Sequence, residues 1–120
     1  MLESTYIHMP MIGATIEKRI WTSGVRKWEE FLCERDSVPI PDKKKSFICA
    51  GIVDSLDRLK ARDHAFFACS LPSSEHWRAY RHFSDNVACV DIETTGLAPC
   101  HDNITVVGIY NGKEARTYVK

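Results

Sequence analysis

A chain of 120 residues with 44% hydrophobic and 27% charged residues has an ordinary globular composition, which excludes a disordered or fibrous chain. Because its 16 basic and 16 acidic residues cancel, the total charge gives no argument for a polyanionic partner. The five scattered cysteines contain no C-x-x-C pair, so we expect reduced thiols and no zinc ribbon. No apolar run approaches the roughly 20 residues that cross a bilayer, so we expect a cytoplasmic location.

The first 36 residues predict a helical leader with two short helices. The first helix ends at Gly24, a residue type typical of the position after a helix C-cap. Residues 37–45 contain two prolines and three consecutive lysines, and this pattern predicts a linker or surface loop. The apolar positions that define the two helices are Ile16, Ile20 and Trp21, and then Trp28, Phe31 and Leu32.

Residues 46–84 predict a helical connector, because apolar residues recur there at spacings of three and four. We expect a break near Asp63–His64 and an end at Leu71–Pro72. Tryptophans at helical spacings are more often core residues than base-stacking platforms, so Trp21, Trp28 and Trp77 are predicted to pack.

From residue 85 the periodicity changes to that of strands, at residues 87–92, 104–110 and 115–119. Asn111–Gly112 predicts a hairpin with a type I′ turn, in which both central residues have positive φ. The expected product is a three-strand antiparallel meander with an exposed edge, and such an edge makes self-association a hypothesis.

Two carboxylates stand out in the first strand. Asp91 and Glu93 are two residues apart, so in an extended chain both point to the same side, where they repel each other unless a cation joins them. Hard oxygen ligands suit Mg²⁺ or Mn²⁺. The plainer alternative is a solvated strand end followed by an ordinary turn at Thr94, Thr95 and Gly96.

The complete run Val90-Asp91-Ile92-Glu93-Thr94-Thr95-Gly96-Leu97, followed by a loop with Pro99 and then a strand hairpin, resembles the first motif of the DEDD exonuclease superfamily, which has an RNase H-like fold. The resemblance extends upstream to the leader of prokaryotic YprB-like RNase H-like exonucleases. The segments that carry it are 6–13, Glu17, Trp21, Gly24, Trp28, Phe31–Leu32 and 71–78.

This resemblance implies an α+β chain that begins an RNase H-like nuclease domain at about residue 85. It implies a 3′–5′ exonuclease in which four carboxylates from three motifs hold two Mg²⁺ or Mn²⁺ ions that assist phosphodiester hydrolysis. Asp91 would bridge both ions and Glu93 would bind one. Thr94, Thr95, Gly96 and Leu97 would border the terminal nucleotide of a DNA or RNA strand, a single-stranded end being favoured.

The later acidic motifs of that superfamily are missing, since Asp102 and Glu114 are the only acids after Glu93. Both are expected to be solvated. We therefore expect a truncated nuclease domain with half of a two-metal site, weak Mg²⁺ binding and no normal activity. The alternatives are a non-catalytic nucleic-acid-binding or adaptor remnant, and a small α+β protein with an incidental acid pair.

Pro10-Met11-Ile12-Gly13 before a helix resembles the hairpin of a helix-hairpin-helix module, which binds a DNA phosphate through backbone N–H groups. Met11 replaces the first glycine of the usual motif, so packing of a helical cap is the favoured alternative. Lys18, Arg19, Arg26 and Lys27 could add a basic edge, whereas the dispersed histidines share no zinc-ligand spacing.

Overall fold

The computed structural model describes residues 1–98 and 101–120, which divide into two compact units, Met1–His82 and Phe83–Lys120. Helices make up the first unit, and the second contains a three-strand antiparallel sheet. The chain is therefore α+β with its helices first, as the periodicity predicts. Pro99 and Cys100, which the sequence analysis assigned to the loop and to the free thiols, lie outside the described residues.

Five α-helices are present in the described residues: α1 (Ala14–Thr22), α2 (Trp28–Glu34), α3 (Asp42–Lys60), α4 (His64–Ser70) and α5 (Tyr80–Phe83). Short 3₁₀ segments cover Leu2–Ser4, Arg35–Ser37, Ser73–Ala79 and Ser84–Asn86. No described helix combines the length and apolar character that crossing a membrane requires.

Local side-chain and backbone bonds set the ends of α1 and α2. Gly24 has φ +97° directly after the C-cap of α1, the left-handed conformation that its sequence position predicts. At the start of α2 the Glu30 carboxylate accepts the backbone N–H groups of Arg26 and Lys27 at 2.6 and 3.0 Å. Two N–H groups that the helix itself cannot satisfy are thereby bonded.

The predicted loop at residues 37–45 is partly wrong. Val38 and Ile40 are 1% and 7% exposed and belong to the core, while the intervening Pro39 is exposed. An extended Val-Pro-Ile-Pro segment turns alternate side chains to the same side, which explains this pattern. Helix α3 begins at Asp42, so the three lysines at 43–45 lie in its first turn instead of in a loop.

The predicted break between the two central helices is confirmed. Arg62 has φ 55°, a left-handed conformation that ends α3. Asp63 then caps α4 by accepting the backbone N–H of Phe66 at 3.0 Å, and this bond lowers the pKa of the Asp63 carboxyl.

The core of the helical unit is built around large side chains that are fully buried. Tyr6 and Phe31 pack with ring centroids 5.7 Å apart, and Trp28 is 1% exposed, as predicted. Trp77, by contrast, is 55% exposed, so its predicted place in the core is wrong. The physical reason is that Ser73–Ala79 is 3₁₀, and its three-residue turn does not maintain the face of an α-helix.

The sheet contains β1 (Cys89–Thr94), β2 (Ile104–Tyr110) and β3 (Ala115–Val119), hydrogen-bonded in that order. The bounds of β2 and β3 are those predicted, whereas β1 begins and ends two residues later than the predicted 87–92. The extended backbone therefore continues through Glu93. This is required for the Asp91 and Glu93 side chains to point to the same side.

The hairpin between β2 and β3 forms where it was predicted, but with a different turn. Its centre is Gly112–Lys113, because Asn111 N–H donates to the Glu114 carbonyl at 3.2 Å. Gly112 has φ +87°, and among the described non-glycine residues only Met11 and Arg62 have positive φ. A type I′ turn is therefore wrong; instead the Asn111 side chain accepts the N–H groups of Lys113 and Glu114.

Candidate metal site on the sheet

Strand β1 places Asp91 and Glu93 on the same face of the sheet, since they are alternate residues of one strand. Asp91 lies opposite Gly108 of β2, and Glu93 lies opposite Val106. The structure therefore brings the two predicted carboxylates to one side, as the sequence analysis expected.

The residue opposite Asp91 leaves space beside its carboxylate. Gly108 has no side chain, and within 4 Å a Cβ placed there would meet only Asp91 among the described residues outside its own strand neighbours, at 3.9 Å from the Asp91 Cβ. An ion or a water could use this space, although an alanine at residue 108 would still make only ordinary contact.

Every residue of β1 is exposed, and neither carboxylate makes a hydrogen bond or ion pair within the described ranges 1–98 and 101–120. Two carboxylates on one strand face with no basic partner repel each other unless a cation lies between them. Their oxygens are suitable ligands for Mg²⁺ or Mn²⁺. No group of three potential His, Cys, Asp or Glu ligands occurs in the described part of the chain, so the pair stands alone.

The pairing register of β1 with β2 changes directly after the acidic pair. The pairing of β1 with β2 shifts between Glu93 and Thr94, and Thr94 lies opposite Ile104. The Thr105 hydroxyl donates to the Glu93 carbonyl at 3.1 Å. Irregularities of this kind bend a strand, so β1 is irregular at the second carboxylate and ends one residue later, at Thr94.

Asp102 holds the loop that follows, which corrects the prediction that its carboxylate is solvated. Asp102 is half-buried; its carboxylate accepts the Thr95 hydroxyl at 3.1 Å and the Ala98 backbone N–H at 2.7 Å. Thr95 also exchanges bonds with Asn103, donating its N–H to that carbonyl at 3.0 Å and accepting the Asn103 N–H on its hydroxyl at 3.0 Å. Asp side chains in loops commonly accept such local hydrogen bonds, but the sequence does not show which N–H groups donate to the Asp102 carboxylate.

The Asp102 carboxylate also explains why residue 96 is glycine. A Cβ on Gly96 would lie 2.6 Å from Asp102 Oδ2, which is closer than van der Waals contact allows. The resemblance to DEDD exonucleases places Gly96 beside the terminal nucleotide of a bound strand. The structure shows instead that the loop itself occupies the space a side chain would need.

The other predicted nucleic-acid contacts lie on this loop. Leu97 is 99% exposed, so the most prominent apolar side chain of the loop contacts almost no protein atoms. The Thr94 hydroxyl donates to the Gly96 carbonyl, which ties the end of β1 to the loop. Glu114, the second acidic residue after Glu93, is 57% exposed, as expected. Its carboxylate pairs with Arg116 at 3.0 Å and does not join Asp91 and Glu93.

In the helical unit, Met11 has φ 63° and is 78% exposed. It therefore adopts the left-handed conformation that glycine favours, despite its side chain. The four basic residues predicted to form an edge nearby, Lys18, Arg19, Arg26 and Lys27, are all exposed.

The sequence analysis missed a buried ion pair between distant parts of the helical unit. The Glu17 side chain is 2% exposed and accepts Arg78 Nη1 at 2.8 Å and the Tyr6 backbone N–H at 2.7 Å. The Arg78 guanidinium also binds Glu75 at 2.6 Å and lies 5.5 Å from the Trp21 ring centroid. Both ion pairs of Arg78 therefore stabilise the helical unit.

A second buried polar pair joins His8 to Ser55. Because the Ser55 hydroxyl donates to the Gly51 carbonyl at 2.6 Å, it accepts His8 Nε2–H at 2.8 Å. Burial lowers the pKa of His8 to about 4, and nearby Asp54 only partly opposes this shift. His8 is therefore neutral near pH 7, and its Nδ1 has no partner in the described residues.

The comparisons with known proteins return no identification: no family model, no curated protein and no solved structure matches the chain. Function must therefore be argued from the geometry of its own residues.

Proposed function

We propose that the sheet unit is the acidic first part of a two-metal-ion nuclease site of the RNase H-like, DEDD exonuclease type. The observation that supports this most directly is the placement of Asp91 and Glu93 on one exposed strand face, without a basic partner in the described chain. The reaction is hydrolysis of a phosphodiester at a nucleic-acid end, and the ions are Mg²⁺ or Mn²⁺.

In such a site the ions stabilise the attacking and the leaving oxygen of an in-line displacement. The part of this chain is to hold the ions: Asp91 would contact both and Glu93 one. The residues directly after β1 would border the terminal nucleotide, with the Thr95 and Gly96 backbone near its sugar-phosphate and the exposed Leu97 against its base. Thr94 would position that loop through its bond to Gly96.

Among the described residues of the sheet unit, Asp91 and Glu93 are the only acidic side chains that are free for this site. Asp102 is engaged by Thr95 and Ala98, and Glu114 is paired with Arg116. Two ligands hold a divalent ion weakly, because hard cations need six or more oxygens, and the remainder here would be water. We therefore propose that this chain alone binds Mg²⁺ or Mn²⁺ weakly and does not hydrolyse nucleic acid at a normal rate.

Titration with Mn²⁺, followed by electron paramagnetic resonance, tests the metal site. Asp91→Ala and Glu93→Ala should each remove most of the bound Mn²⁺ signal, whereas Glu114→Ala, an acidic deletion in the same unit, should leave it unchanged. Equal loss in all three variants, or no loss in any, would contradict the proposed ligands.

Incubation with an end-labelled single strand and Mg²⁺ tests the incomplete site separately. The expected result is no cleavage above background. Robust cleavage that Asp91→Ala abolishes would show that two carboxylates suffice, and it would overturn the half-site while supporting the nuclease chemistry.

A non-catalytic nucleic-acid-binding role is the second candidate, and the glycine-like conformation of Met11 favours it. The backbone N–H groups of exposed Gly13 and Ala14, at the start of α1, could donate to one phosphate, with Lys18 and Arg19 adding charge. In fluorescence anisotropy with a labelled oligonucleotide, Lys18→Glu with Arg19→Glu should then weaken binding without affecting Mn²⁺. Unchanged oligonucleotide binding would contradict this role.

A cytoplasmic location stays a prediction from the composition.

A further inference from the structure

Strand β3 forms an edge of the sheet, and two backbone hydrogen bonds of the hairpin determine which of its backbone groups point away from β2. Asn111 N–H donates to Glu114 at one end, and Lys120 N–H donates to Thr105 at the other, at 3.2 and 2.9 Å. In antiparallel pairs, residues alternate between bonding inward and pointing outward. The even-numbered residues from 114 to 120 therefore bond to β2, and Ala115, Thr117 and Val119 present their N–H and C=O groups outward.

We infer that a second copy of this chain pairs with the β3 edge, antiparallel and about a two-fold axis at Thr117. In this register each of the three outward residues lies opposite an outward residue of the partner. Thr117 lies opposite the partner's Thr117, and Ala115 lies opposite the partner's Val119. Each such pair exchanges two backbone hydrogen bonds, so the three pairs contribute about six bonds. The inference is independent of the proposed nuclease function.

The side chains of this register are complementary in charge. With the axis at Thr117, Glu114 lies opposite the partner's Lys120, and Arg116 lies opposite the partner's Tyr118. Glu114 is 57% exposed and Tyr118 is 55% exposed, so both are accessible to a second copy. Opposite charges across an antiparallel pair are favourable, and a cation over a Tyr ring adds a further attraction.

The other edge of the sheet does not offer the same complementarity. If β1 paired with its own copy about Ile92, Asp91 would lie opposite the partner's Glu93, and axes at Asp91 or Glu93 would oppose identical carboxylates. Like charges directly opposite each other destabilise a strand pair. The register shift after Glu93 further interrupts that edge. The charge pattern therefore selects β3 for self-pairing and disfavours β1.

Sedimentation equilibrium over a series of protein concentrations tests the inference. The weight-average mass should rise from 13.7 kDa toward twice that value and then level off. Thr117→Pro removes one outward N–H from each copy, and therefore two symmetric bonds, so it should weaken the dimer about tenfold or more. Thr117→Val keeps the N–H group and should leave the dissociation constant nearly unchanged.

Charge reversal provides a second test that does not depend on the proline variant folding. Lys120→Glu and Glu114→Lys each create two like-charge pairs and should weaken the dimer a few-fold at low salt, and the double reversal should restore it. Lys113→Glu, in the hairpin turn and outside β3, is the matched control.

Three outcomes would overturn the inference. The first is a constant monomer mass at all concentrations, and the second is growth beyond a dimer without a plateau. The third is a dimer that neither Thr117→Pro nor the single charge reversals weaken, which would place the interface elsewhere.

Discussion

Arg78 Nη1 lies 2.8 Å from Glu17 Oε1, and this bond joins residues 61 positions apart in the chain. The Glu17 side chain is 2% exposed and the Arg78 side chain is 13% exposed, so water does little to screen them. The same carboxylate holds the backbone N–H of Tyr6 at 2.7 Å. One buried side chain thus ties the N-terminal segment, α1 and the 3₁₀ segment at residues 73–79.

Removing one member of this pair should destabilise the helical unit strongly. Glu17→Gln leaves the Arg78 guanidinium buried with a neutral partner, and we expect a loss of about 3 kcal/mol in the free energy of unfolding, measured in urea. Glu75→Gln, which alters the more exposed partner of the same arginine, should cost about 1 kcal/mol or less. Equal effects of the two changes would contradict the dominant role of Glu17.

His8 should make the helical unit less stable in mild acid. Its pKa is lowered to about 4 in the folded state, whereas an unfolded histidine titrates near 6.5. The unfolded chain therefore binds more protons between these values, and stability should fall by about 3 kcal/mol as pH drops through this window.

Urea unfolding from pH 7 to pH 4 measures this dependence. Because carboxylates titrate in the same range, the informative quantity is the difference between the wild type and His8→Gln, which should have a flatter profile. His76→Gln, at an exposed histidine of the same unit, should keep the wild-type slope. Parallel profiles for wild type and His8→Gln would show that His8 does not carry the effect.

Gly96 and Asp102 should show coupled stability effects. Gly96→Ala places a Cβ 2.6 Å from Asp102 Oδ2 and should destabilise the sheet unit by about 2 kcal/mol. In an Asp102→Ala background the clash is absent, so the same change should cost about 1 kcal/mol less.

Thermal unfolding of the four chains of this double-mutant cycle gives the coupling energy. Gly108→Ala is the matched control, since its Cβ would only approach the Asp91 Cβ at 3.9 Å. Simple additivity of Gly96→Ala and Asp102→Ala would mean that the carboxylate does not exclude a side chain at residue 96.

At residue 11 a glycine variant should be more stable than an alanine variant, which is the reverse of their usual order in a helix. At φ 63° a Cβ is unfavourable, so Met11→Gly should be more stable than Met11→Ala by about 1 kcal/mol. At exposed Val53, inside α3, alanine should instead be more stable than glycine by a similar amount. Chemical denaturation of both pairs checks this, and the same order at the two positions would contradict the left-handed conformation of Met11.

The sequence by itself determined the α+β class, the bounds of β2 and β3, and the shared face of Asp91 and Glu93. These features depend on local periodicity: a repeat of two residues specifies a strand and its faces, and a glycine after a helix specifies its end. The break at Asp63 was predictable for the same reason, because Asp is a good N-cap for the helix that follows it.

Tertiary structure alone decided the partners of the polar side chains. Asp102 was expected to be solvated and instead holds Thr95 and Ala98, while Arg78 is bound to Glu17 far away in the sequence. The exposure of Trp77 was also decided by tertiary structure. We predicted that Trp77 is buried on the face of an α-helix, but the segment is a 3₁₀ helix, and the sequence does not distinguish the two helix types. Hydrogen bonds and ion pairs between distant residues follow from how the elements pack, and no local pattern in the sequence records that packing.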